Sequence, residues 1–136
     1  SLRHLTFGHR FDQSLGDGSL PSDLETLTFG YAFAQAVTAQ LPEGLKCLIF
    51  GDSFNRSLDA VNLSGLQSLT FGECFTQPLD SVELPPKLHH LTLRYAEFEQ
   101  NWKAVTLPEG LQHLVFGGRF DQRIDHLRLP EGLQSL

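Results

Sequence analysis

The segment Leu66 to Lys87, LQSLTFGECFTQPLDSVELPPK, recurs in variant form along the whole chain, and nothing else in the sequence constrains the fold as strongly. Copies begin at Leu2, Leu24, Leu45, Leu66, Leu88 and Leu111, and a partial seventh opens at Leu133. Successive starts lie 22, 21, 21, 22 and 23 residues apart. Self-similarity at such a period marks a solenoid or another repeat array, in which each unit buries its apolar side only against its neighbours. The phenylalanines sharpen the pattern. All 11 fall in two repeat positions: Phe7, Phe29, Phe50, Phe71 and Phe116 in one, and Phe11, Phe33, Phe54, Phe75, Phe98 and Phe120 in the other. Residues confined to two columns are expected to stack from coil to coil, with Phe54 inward between Phe33 and Phe75.

Within a unit, L-x-x-L-x-F is too short for a useful helix, and its Thr, Ile and Val content suits a strand. A glycine follows at Gly8, Gly30, Gly51, Gly72 and Gly117, read as a turn needing backbone freedom. After the second Phe comes another apolar triplet, such as Leu79, Val82 and Leu84, or Trp102, Val105 and Leu107, or Ile124, Leu127 and Leu129. This predicts a second short extended segment on an opposite wall. Pro21, Pro42, Pro85, Pro108 and Pro130 then close their coils, since proline has no amide proton to give to a ladder. The expected architecture is all-β, with little or no α-helix. About six coils of 21–23 residues stack as a right-handed parallel β-solenoid, forming one array over residues 1–136 that reads as a fragment of a longer one.

The runs LPSDLETLTFGYAF, LPEGLKCLIFGDSFNRSL and LPEGLQHLVFGGRFDQRI resemble the FNIP repeat, a branch of the leucine-rich-repeat superfamily. The resemblance extends over essentially the whole chain. It implies a leucine-rich-repeat-like, short-stranded solenoid used as a recognition scaffold, with no catalytic residues and no cofactor. The Asn that usually follows the second Phe survives only as Asn55; Asp12, Ala34, Thr76, Glu99 and Asp121 stand elsewhere.

A net charge of −6, with ten scattered basic residues, argues against a nucleic-acid partner, and no apolar run is long enough to insert in a membrane. Cys47 and Cys74 stand six repeat positions apart in adjacent coils, too far for a disulfide, and two free thiols point to a reducing, intracellular compartment. Asn55-Arg56-Ser57 and Asn62-Leu63-Ser64 match the glycosylation pattern, with Asn55 read as a turn residue of the repeat. His90 and His113 share an outward position on adjacent coils and are the candidate metal ligands. A zinc site wants three or four ligands, so no metal is expected. No nucleophile motif is present, and the chain is not read as an enzyme.

The outward positions of the first strand carry the candidate site. They read His4, Thr26, Cys47, Ser68, His90, His113 and Thr6, Thr28, Ile49, Thr70, Thr92, Val115. None of these is Asp, Glu, Lys or Arg, in a chain that is 19% charged. β-Branched residues make good ladders, which explains part of the pattern. An uncharged, nearly flat centre beside a polar and aromatic rim also has the composition of an interface. Thr28, Ile49, Thr70 and Thr92 are therefore the expected platform, with Tyr31, Asp52, Glu73 and Tyr95 supplying selectivity to a protein partner. The alternative is a flat Thr-rich face that matches ice or a crystalline polysaccharide. In the irregular fifth copy, Tyr95 and Glu97 are expected to project while Trp102 packs inward. Leu2, Leu5, Phe7, Leu133 and Leu136 have no neighbouring coil to cover them, so either end-to-end self-association or a missing cap in the parent protein is a further expectation.

Overall fold

The computed structural model describes residues 1–94 and 100–136. Among them are six short strands: β1 (His4–Thr6), β2 (Thr26–Thr28), β3 (Cys47–Ile49), β4 (Ser68–Phe71), β5 (His90–Leu93) and β6 (His113–Phe116). They form one parallel sheet in chain order, continued by a bridge from His113 to Ser135. The register aligns Leu5, Leu27, Leu48, Leu69, Leu91 and Leu114, so each coil lies directly on the one before. Parallel strands need a long return path, and here, among the described residues, the rest of the coil supplies it without a helix. Among the described residues no helix is long and apolar enough to cross a membrane.

The two phenylalanine columns fill the interior. Phe33, Phe54 and Phe75 are fully buried, and Phe54 lies 6.0 Å from Phe33 and 6.1 Å from Phe75, with rings nearly parallel. Within a coil the two rings also stack, as Phe50 and Phe54 do at 3.9 Å. Offset stacking of this kind adds roughly 0.5–1.5 kcal/mol per pair beyond area burial. Trp102 packs inward, 5% exposed and edge-on to Phe116 and Phe120. Tyr95 and Glu97 lie outside the described residues.

The glycine column has a cause different from the expected one. Among the described residues only Gly18 has a positive φ, so backbone freedom is not what Gly30, Gly51 and Gly72 provide. A Cβ at any of the three would overlap the preceding coil's glycine carbonyl. Glycine is there because two backbones touch. Where Arg94 takes that position, its N–H donates to the Phe71 carbonyl at 3.2 Å, and Gly117 N–H donates to the Leu93 carbonyl at 2.8 Å. The ladder is accordingly four residues long through β4–β6 and three through β1–β3.

The expected second strand is not formed: among the described residues, that wall is built of turns. The Val82 N–H donates to the Leu79 carbonyl, and the same bond joins Val61 to Leu58, Val105 to Trp102 and Leu127 to Ile124. The reason lies in the spacing. Residues three apart point to opposite faces of a strand, whereas a turn lets both Leu79 and Val82 point inward, and both are buried. The prolines act similarly at the next corner. Their carbonyls accept from the leucine three residues on, as Pro42 does from Leu45, and Leu63 takes that role in the coil that lacks the proline.

Side chains stitch the turning regions together. Asp12 Oδ1 accepts from the Ala34 N–H at 2.9 Å, and Asn55 Oδ1 from the Thr76 N–H at 2.9 Å. Two residues after the second Phe, glutamines continue the work. The buried Gln100 donates to the Gln77 carbonyl and accepts from the Leu79 N–H. Gln122 Oε1 in turn accepts from the Gln100 N–H and from Trp102 Nε1. These bonds satisfy backbone groups that the sheet does not reach.

Equivalent rings lie farther apart with depth. On the outward side His90 and His113 are 4.5 Å apart, and at the rim His9 and Tyr31 are 5.0 Å apart. The first Phe column is spaced 5.4 to 5.8 Å and the second 6.0 to 6.2 Å. The coils therefore fan, with the sheet on the short, concave side. Taking ~10 Å between outward and inward side-chain layers, the widening from 4.5 to 6.1 Å is a fan of roughly 10° per coil.

Candidate recognition face

Alternation along each three- or four-residue strand sends its leucine, such as Leu48 or Leu69, into the core and its two neighbours outward. The register brings His4, Thr26, Cys47, Ser68, His90 and His113 into one outward column and Thr6, Thr28, Ile49, Thr70, Thr92 and Val115 into the other. Thr28, Ile49, Thr70 and Thr92 are each half-buried by their neighbours, while Val115 is 45% exposed. The platform named from the sequence is thus contiguous. It is curved where a flat one was expected.

Two flanks border it. On the strand-entry side Glu25 bridges two coils, 3.4 Å from Arg3 and 3.0 Å from Lys46. The hydrogen bond and charge of Lys46, helped by Arg3, hold the Glu25 carboxyl below its ordinary pKa. On the strand-exit side Tyr31, Asp52 and Glu73 follow one another up the coils. Tyr31 is 52% exposed and stacks on His9, and Asp52 Oδ1 accepts from the Glu73 N–H at 3.2 Å. Among the described residues neither Asp52 nor Glu73 is in an ion pair. Tyr95, the fourth residue expected on this rim, lies outside the described residues.

At the far end His90 stacks on His113 with an interplanar angle of 17°, and His113 Nδ1 hydrogen-bonds Ser135 Oγ at 2.7 Å. Desolvation first, then the neighbouring His113 and His89, lower the His90 pKa from 6.5. Parallel rings do not aim their nitrogens at one point. Among the described residues no group of three or more His, Cys, Asp or Glu is placed to hold a metal ion. Both cysteines are free, Cys47 half-buried on the face and Cys74 exposed beyond the rim. Among the described residues, several clefts lie on the other wall, between coils. One of about 610 Å³ is lined by Asp80, Glu83, Thr106 and Glu109, and another is lined by Asn62 and Glu83. Sequence reasoning did not find the glutamine column or the turn wall. The recurring F-x-Q and the i, i+3 apolar spacing were the available signals.

A family model described as FNIP Repeat matches residues 1–32 and 98–136. Among solved structures, the chain is similar to CroV588, described as a novel circular LRR protein, at 38% identity and a TM-score of 0.83. That similarity covers 96% of this chain and 19% of the other, so the chain spans less than a fifth of that protein's length. No curated protein matches.

Proposed function

The chain belongs to the FNIP repeat family, and from that premise we propose that it is a non-catalytic scaffold that recognises a protein partner on the concave face of its sheet. One observation carries the reading. Twelve outward positions in register over six strands hold no Asp, Glu, Lys or Arg, yet both flanks are polar. A regular sheet with a packed core behind it is the rigid platform that recognition needs. The likeness to a circular LRR protein supports reading the array as an arc of a longer curved one. Curvature also speaks against the ice or polysaccharide alternative, because a concave strip cannot meet a planar lattice along its length; a thermal-hysteresis assay tests that directly.

Thr70→Lys is the test. Residue 70 points outward, so the substitution should leave the circular-dichroism melt nearly unchanged while partner capture by the protein is lost. Capture that survives Thr70→Lys but fails when Asn62 and Glu83 are altered would move the site to the turn wall.

A further inference from the structure

We propose that the partner presents an arginine to the strand-exit rim, where its guanidinium lies on Tyr31 and pairs with Asp52 and Glu73 while an uncharged crown covers Thr28, Ile49 and Thr70. This rests on the recognition reading above and adds the chemistry of what is recognised.

The two flanks differ in how their charges are met. On the strand-entry flank the carboxylate is already met, because Glu25 has both Arg3 and Lys46. On the strand-exit flank it is not. Asp52 and Glu73 stand on adjacent coils, and among the described residues no cation is in ion-pair contact with either. Arg94, exposed one coil further on, pairs with neither. Two carboxylates held about one strand spacing apart repel, and a cation shared between them relieves that repulsion.

Shape selects the cation. His9 and Tyr31 are successive plates of one stack, 5.0 Å apart and 13° from parallel. At the next coil the column changes from aromatic to acid at Asp52. A planar guanidinium fits as the third plate: it stacks on the exposed tyrosine and donates its fork to the carboxylates beside it. An ammonium has neither the plane nor the fork. The concave sheet asks for a convex partner, and the uncharged centre asks for a crown without charges of its own.

A phage-displayed library of random 12-residue peptides, selected on the immobilised chain, is the probe. We expect enriched peptides to share an arginine, and their binding to fall about tenfold or more when that arginine becomes lysine. A similar loss is expected with Tyr31→Leu, or with Asp52→Asn combined with Glu73→Gln, which keeps Asn Oδ1 for the backbone bond at residue 73. Glu43→Gln with Glu109→Gln, away from the face, should leave binding unchanged. Peptides that Thr70→Lys displaces but the rim variants do not would overturn the arginine proposal and leave the recognition face standing. Peptides indifferent to Thr70→Lys, or a library yielding no binder, would overturn the face itself.

Discussion

Gly51→Ala and Gly8→Ala place the same methyl group at the same repeat position, and they should behave oppositely. At Gly51 the new Cβ overlaps the Gly30 carbonyl, a backbone group fixed between two coils that cannot rotate away. The third coil must lift off the second, weakening bonds such as Ser53 N–H to Tyr31 C=O at 3.1 Å and Cys47 N–H to Glu25 C=O at 3.0 Å. Overpacking of this kind costs about 1–3 kcal/mol, and a weakened inter-coil bond adds about 1 kcal/mol. At Gly8 a Cβ meets nothing within 4 Å and φ is not positive. There the methyl mainly reduces unfolded-state entropy, stabilising by about 0.4–1 kcal/mol. The two variants should therefore differ by about 2.5–5 kcal/mol. In urea, with a slope of about 1–3 kcal/mol/M, that is a midpoint separation on the order of 1–2 M. Equal midpoints would refute the claim that backbone contact, and not local conformation, selects glycine in this column.

Gln100→Ala should cost about 1–3 kcal/mol, because it strands the Leu79 N–H in a buried setting; a urea midpoint equal to the parent's would show that the glutamine column is incidental. His90, with its pKa lowered from 6.5 by burial and by His113, favours its neutral form in the folded state. Its contribution to stability is thus complete above about pH 6.5 and declines as pH falls through the folded pKa, below which the loss levels off. His113→Asn should raise the His90 pKa in an NMR titration, and an unmoved titration curve would remove the imidazole pair as a cause.

Much of the fold was readable because single residue types occupy single columns. Phe7, Phe29 and Phe50 could only be equivalent, and that equivalence set the register on which Leu48 faces in and Ile49 faces out. Trp102 was placed inward by the same alignment. The second wall was misread because Leu79, Val82 and Leu84 are apolar at spacings of three and two, and only the spacing of two belongs to a strand. The glycine column was found for the wrong reason, since close approach between coils is invisible within one coil. Gln100 and Gln122 carry no sign of their role in a single copy of the repeat, yet Gln100 is 9% exposed and both bond across coils. Curvature could not be read at all: it resides in the small difference between 4.5 Å and 6.1 Å at two depths. Of the rim, the sequence pointed to Asp52 and Glu73, but the lack of an internal cation beside them is a matter of geometry.

The side-chain ladder between coils has one length scale. Its hydrogen bonds join residues 20 to 23 apart, whether from Trp102 to Gln122 or from Gln35 to Asp12. Closing a loop of that size costs about 3 kcal/mol beyond a constant, and the figure is the same for every coil. Among the described residues no pairing waits for distant parts of the chain to meet. Folding can begin at whichever two coils first trap their phenylalanines and then advance one coil at a time in either direction. Lengthening the array by whole repeats therefore adds structure without adding longer loops, and the search for the native state does not grow harder with length.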